Sequence, residues 1–191
     1  MNKKHAKLSI YTIFRLAVVL VAALVCLKSV ITDFGFDQAY TVAMSYRHLN
    51  GDRMLMEMWD PLQPSVFVTD ILLFMYRLFV PSLTGVSIYL GICGTMLFGM
   101  AAALLYKEIK TVSNEFTAFL AAVFFIAFRA KMSLFPDYTS LSIFFSAMTF
   151  VNLVKFFKSG EKYRYLIISS CFLCLQVLAY PSTALVFVGI I

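Results

Sequence analysis

Apolar and polar positions in this chain alternate on a long scale. Runs with few or no charges cover Ser9–Ile31, Val86–Tyr106, Val112–Phe128, Tyr138–Phe157 and Tyr165–Ile191. Each approaches or exceeds the ~18 apolar residues expected of a membrane-crossing helix. The runs are continuous and lack the ten-residue alternating segments of a membrane β-barrel. The pattern predicts an all-α polytopic membrane protein with about five to six transmembrane helices, forming one membrane domain over residues 1–191. The last run holds 27 uncharged residues, or ~40 Å at helical rise, too long for one untilted crossing. A break is expected at Pro181, with a new helix beyond it.

A further apolar stretch, "SVFVTDILLFMYRLFV", lies between Pro64 and Pro81. Its sixteen residues would reach ~24 Å, short of a ~30 Å hydrocarbon core. Asp70 and Arg77, seven apart, share one helix face. An amphipathic helix lying in the interface fits better than a span. Charge gives an independent check, because basic residues favour the cytoplasmic side. If this stretch does not cross, ten basic residues are cytoplasmic and six external; if it crosses, the count becomes seven against nine. The first arrangement wins, with the N-terminus cytoplasmic.

The longest polar stretch is therefore an external loop, residues 32–81, holding two juxtamembrane helices after the first span. Its first part, Ile31 to Pro61, carries five of the ten acidic residues of the chain. It is too rich in Tyr, Met, Phe and Leu for disorder. Phe36–Leu49 reads as a short helix with Asp37, Thr41, Ser45 and His48 on a polar stripe. Phe36, Ala39, Tyr40, Ala43 and Tyr46 make its apolar side. Asn50-Gly51 ends it, and Pro64 suits the first turn of the next helix.

Hydrophobic residues make up 61% of the chain and charged residues 14%, against roughly 25% charged in soluble domains. The net charge of +6 does not imply nucleic acid, because the basic residues sit at the ends of apolar runs rather than in one patch. The basic start before the first span is read as part of an uncleaved anchor, since the apolar run continues to Ile31. The four cysteines lie inside apolar runs, where Cys behaves as a small hydrophobe. Gly91, Thr95 and Gly99 form a small-residue stripe for helix packing.

Two polar places remain as candidates for chemistry. One is the loop, with Asp37, Gln38 and Asp60, where Asp60 is equally a turn former before Pro61. The other is the junction "FRAKMSLFPDYTS", residues 128–140, with Arg129, Lys131 and Asp137. Arg129 and Lys131 oppose the orientation rule, and ionisable groups at a membrane boundary default to a functional hypothesis. Together they suit chemistry on a lipid phosphate: a carboxylate takes a proton from an acceptor hydroxyl, and cations steady the leaving phosphate. The plainer reading has the loop as a membrane-lying cap and Asp37 as a solvated charge. His48 has no second ligand at metal spacing and reads as an exposed helix residue.

The segments "FDQAYTVAMSYRHLNGD", "WDPLQPSVFVTDILLFMYRLF", "FPDYTSLS" and "LAYPSTALVF" occur in an order that resembles the N-terminal part of the GT-C lipid-linked glycosyltransferases. Aminoarabinose transferase and protein mannosyltransferases are the members most similar. The resemblance implies a polyprenyl-phosphate-linked sugar as donor, an acceptor of unknown identity, and transfer on the external face of the bacterial cytoplasmic membrane. It implies catalytic roles for Asp37 and Asp137, and substrate contacts for Gln38, Arg129, Lys131 and Asp60. Gln38 stands where the family has a second acid, so no cofactor is assigned and a divalent metal has no obvious partner beside Asp37. Family members carry more spans, so the chain is expected to be a truncated form of that module. The rival expectation is a non-catalytic membrane protein, either a transporter-like subunit or an assembly partner.

Overall fold

A computed structural model describes residues 10–32, 34–58, 60–127, 134–160 and 162–185. Among these residues seven α-helices follow in order: α1 (Ile10–Thr32), α2 (Phe36–Leu49), α3 (Val66–Arg77), α4 (Val86–Val112), α5 (Glu115–Ala127), α6 (Tyr138–Lys158) and α7 (Tyr163–Ala179). Short 3-10 turns precede α3 and follow α7. There is no strand among the described residues. α1, α4 and α6 are long and apolar enough to cross a membrane, whereas α5 and α7 are shorter apolar helices of 13 and 17 residues.

Local chemistry accounts for the helix ends. α2 stops at Asn50, and Gly51 follows in the left-handed region at φ 103°, where a missing Cβ removes the strain. α4 runs six residues past Tyr106, because "KEIKTV" is a good helix former apart from its last two residues. Asn114 then starts α5 by accepting the amide of Thr117 on its side chain, at 2.8 Å. Asp137 does the same for α6, accepting the amide of Ser140 at 2.8 Å. α7 ends at Ala179, two residues before Pro181, as the missing N–H of proline demands. The helix expected beyond that break falls mostly on residues 186–191, outside the described residues.

Contacts at two levels fix the helix directions. Arg15 near the start of α1 bonds Glu115 at the start of α5, at 2.6 Å. Val30 near the end of α1 packs on Gly91 near the start of α4. α1 and α4 are therefore antiparallel. Glu108 near the end of α4 and Lys158 at the end of α6 are 3.5 Å apart, so these two helices run the same way. α6 and α7 form a hairpin, closed by Ser169 donating to the Thr149 carbonyl and by Phe145 against Phe172.

The loop helices gather at one end of this bundle. Val42 of α2, Leu73 of α3, Val86 and Leu90 of α4, and Phe135 form one buried cluster. α3 is a 12-residue helix, ~18 Å long, held against α2 and the first turns of α4. The segment 134–136 lies so close to α4 that a Cβ on Gly94 would sit 1.6 Å from the Leu134 carbonyl oxygen. Gly94 is thus the glycine that the packing requires. The expected stripe is only partly used. Gly91 meets Val30, Thr95 bonds the Gly91 carbonyl, and Gly99 has nothing within 4 Å.

α1 shows how little protein covers some of these helices. Ala22, Cys26 and Ser29 alone among its residues are buried. Leu16, Leu20 and Leu24 face outward. In water such a surface would be costly; in lipid it is the ordinary outer face of a span.

Candidate functional site

The middle of the polar stripe of α2 does not face water. Thr41 and Ser45 are fully buried, whereas Phe36 and Tyr46 of the apolar side are exposed. The reason lies on α3. Asp70 is buried and accepts the Ser45 hydroxyl on one carboxylate oxygen and His48 Nδ1 on the other, each at 2.6 Å. The carboxylate needs partners once it leaves water, and the stripe of α2 supplies them. Arg77, one face-repeat further along α3, lies 5.0 Å over the Tyr46 ring. The polar side of α3 therefore points into the protein, and Phe67, Ile71, Phe74 and Leu78 point out. α3 is two-sided, as its sequence suggested, but its polar side is satisfied by α2 rather than by water. His48, read as an exposed helix residue, is only partly exposed and is held by Asp70.

At the other end of α2, Gln38 and Asp137 come together. Gln38 Nε2 donates to Asp137 at 3.1 Å, and its carbonyl oxygen accepts the Gly35 amide at 3.0 Å. This second bond closes the start of α2 from within. Asp137 has no exposed surface. Its other oxygen caps α6. Two residues 99 apart in sequence thereby join α2 to α6. Thr69 adds a parallel tie, donating to the Pro136 carbonyl at 2.9 Å.

Asp37, next to Gln38, is half-exposed at the first turn of α2, where a negative charge is favoured by the helix dipole. Asp60 is half-buried and accepts the Leu62 amide at 2.7 Å, shaping the turn before Pro61. The Tyr40 hydroxyl is buried without a hydrogen bond of standard geometry. Burial raises its pKa above the usual tyrosine value, and the neighbouring Asp60 carboxylate raises it further. The Tyr138 ring lies 5.6 Å from the Tyr180 ring. Arg129 and Lys131 lie outside the described residues, as does Asp33. Among the described residues, no three His, Cys, Asp or Glu side chains come together as a metal cluster.

No family model matches the chain. No curated protein and no solved structure matches it either. The functional reading therefore rests on the residues themselves.

The sequence reading missed the α2–α3 contact, although both halves of it were visible. A carboxylate within an apolar run, with no local partner, signals a partner elsewhere. Ser45 and His48, three apart on a neighbouring helix, were the available donors. The arrangement is not a nucleophilic triad. In a triad the histidine stands between acid and hydroxyl, whereas here Asp70 stands between Ser45 and His48 and receives from both. It binds two helices together.

Proposed function

We propose that this chain is a membrane module of a GT-C-type glycosyltransferase, with five membrane-crossing helices, α1 and α4–α7, and a cytoplasmic N-terminus. The reaction is transfer of a sugar from a polyprenyl-phosphate donor to an acceptor on the external face of a bacterial cytoplasmic membrane. Asp37 acts as the base. It takes the proton of the acceptor hydroxyl as that oxygen bonds the anomeric carbon, and the lipid phosphate leaves with the bonding electrons. The observation that carries this reading is the placement of Asp37. It is a half-exposed carboxylate at the first turn of α2, next to a Gln38 side chain fixed on both sides by Gly35 and Asp137. Asp137 serves this site as a positioning group, because its oxygens are committed to Gln38 and Ser140. Asp60, Arg129 and Lys131 are assigned to substrate, with the two cations at the donor phosphate.

The test uses the purified chain in liposomes with radiolabelled polyprenyl-phosphate mannose and polyprenyl-phosphate aminoarabinose. Replacing a general base costs ~100-fold or more in rate, so Asp37→Asn should abolish measurable transfer while Asp37→Glu retains part of it. Unchanged transfer by Asp37→Asn would refute the assignment. The second reading, a non-catalytic assembly partner, draws on the commitment of Gln38 and Asp137 to each other. A stable, well-folded wild-type chain that transfers neither sugar would favour it.

A further inference from the structure

A second site lies far from the loop end. α1, α4 and α5 enclose a sideways-open groove of about 850 Å³. It runs from Ile88 to Tyr106 along α4, ~27 Å at helical rise, close to the thickness of a hydrocarbon core. Alanines from all three helices leave the space: Ala22, Ala103 and Ala122 are among them. Its walls are almost wholly apolar, so its occupant is a hydrocarbon chain or an apolar helix face.

Charge at one mouth distinguishes the two. Phe119 and Tyr106 line the groove at the end where α1 begins. Arg15 lies 5.3 Å over the Phe119 ring, and Lys110 lies 5.6 Å over the Tyr106 ring. Both cations share one carboxylate, Glu115, at 2.6 Å and 3.2 Å. Two positive charges against one negative leave the mouth net positive. Donors remain as well. Arg15 bonds Glu115 and Tyr11 through its terminal nitrogens, each of which carries a second N–H, while its Nε–H is buried and has no partner among the described residues. Lys110 spends two contacts, on Glu115 and Tyr106, of the three donors of an ammonium group. An apolar helix would leave these unmatched. A lipid with one net negative charge matches both the walls and the mouth, since its phosphate takes the cations and its acyl chain takes the groove.

We propose that the α1–α4–α5 groove binds an anionic phospholipid, with its phosphate at Arg15 and Lys110 and one acyl chain between Ala22 and Ala103. The lipid belongs to the leaflet that the Arg15 end faces. This site is independent of the transfer reaction at the loop end.

Native mass spectrometry of the detergent-purified chain, titrated separately with phosphatidylglycerol and phosphatidylcholine, tests it. The wild type should retain one phosphatidylglycerol at least several-fold more tightly than phosphatidylcholine. Lys110→Gln, at a half-exposed position, should bring the two lipids within about twofold, a loss of ~0.4 kcal/mol of discrimination or more. Ala103→Trp should fill the groove and remove both lipids, with the helical circular dichroism spectrum confirming that the variant is folded. Equal binding of the two lipids by the wild type would overturn the proposal. So would undiminished phosphatidylglycerol binding by a folded Ala103→Trp. A dimer that Ala103→Trp dissolves would assign the groove to a second copy of the chain instead, and would equally overturn it.

Discussion

The two ends of the bundle handle charge in opposite ways. At the loop end, Asp70 and Asp137 are buried, and each accepts hydrogen bonds on both carboxylate oxygens from elements distant or adjacent in sequence. At the other end, Lys110 and Glu115 are substantially exposed and Arg15 is partly so, with side-chain exposures of 47%, 45% and 25%. A buried carboxylate that loses a partner leaves an uncompensated group in a poor solvent, while an exposed ion pair gives way to water and salt. The loop end is therefore built as a fixed platform. The opposite end is built of interchangeable contacts, which leaves it able to accept an outside ligand.

Variants can sharpen this contrast. The largest effect is expected at Gly94, where any side chain meets the Leu134 carbonyl. Gly94→Val should destabilise the bundle by about 4 kcal/mol or more, in the exceptional range. Size-exclusion chromatography of the detergent-solubilised variant should show loss of the monodisperse peak. Asp70→Ala comes next. Removing the carboxylate strips the buried Ser45 hydroxyl and the partly exposed His48 of their shared acceptor, a loss of about 2 kcal/mol or more. Proteolysis between α2 and α3 should become faster in Asp70→Ala, and a cycle with His48→Ala should reveal coupling between the two residues. Asp137→Ala removes a helix cap, worth about 1 kcal/mol, together with the Gln38 bond, and should lower the thermal midpoint less than Asp70→Ala does. The smallest effect belongs to Glu115→Gln at the opposite end. Its midpoint should stay close to wild type, and what difference exists should shrink as salt is raised. A Glu115→Gln variant less stable than Asp70→Ala would reverse the comparison.

What the sequence made legible was mostly local. α2 appears at Phe36–Leu49, as its polar stripe and the Asn50-Gly51 stop predicted. α6 starts after Asp137 and α7 ends before Pro181, because a cap and a proline act within a few residues. The shortness of α3 was readable from its length alone. The hidden features depend on partners far along the chain. Gly94 looks like any glycine in an apolar helix until segment 134–136 is laid across it. The stripe containing Ser45 looks solvent-facing until α3 brings Asp70 to it. Within the candidate site, the sequence could nominate Asp37, Gln38, Asp60 and Asp137, and the structure adds that Gln38 and Asp137 bond one another. Pattern reading cannot supply such a pairing, since residues 99 apart share no helical or strand period.

The outward row on α3 has a practical side. Phe67, Ile71, Phe74 and Leu78 form an exposed apolar row along α3, set to one side at the loop end of the bundle. A detergent that forms a thin, symmetrical collar would leave that row wet, and particles would stick together through it. A bilayer disc, or a detergent with a thicker collar, covers the row and is the medium in which the loop end should be studied.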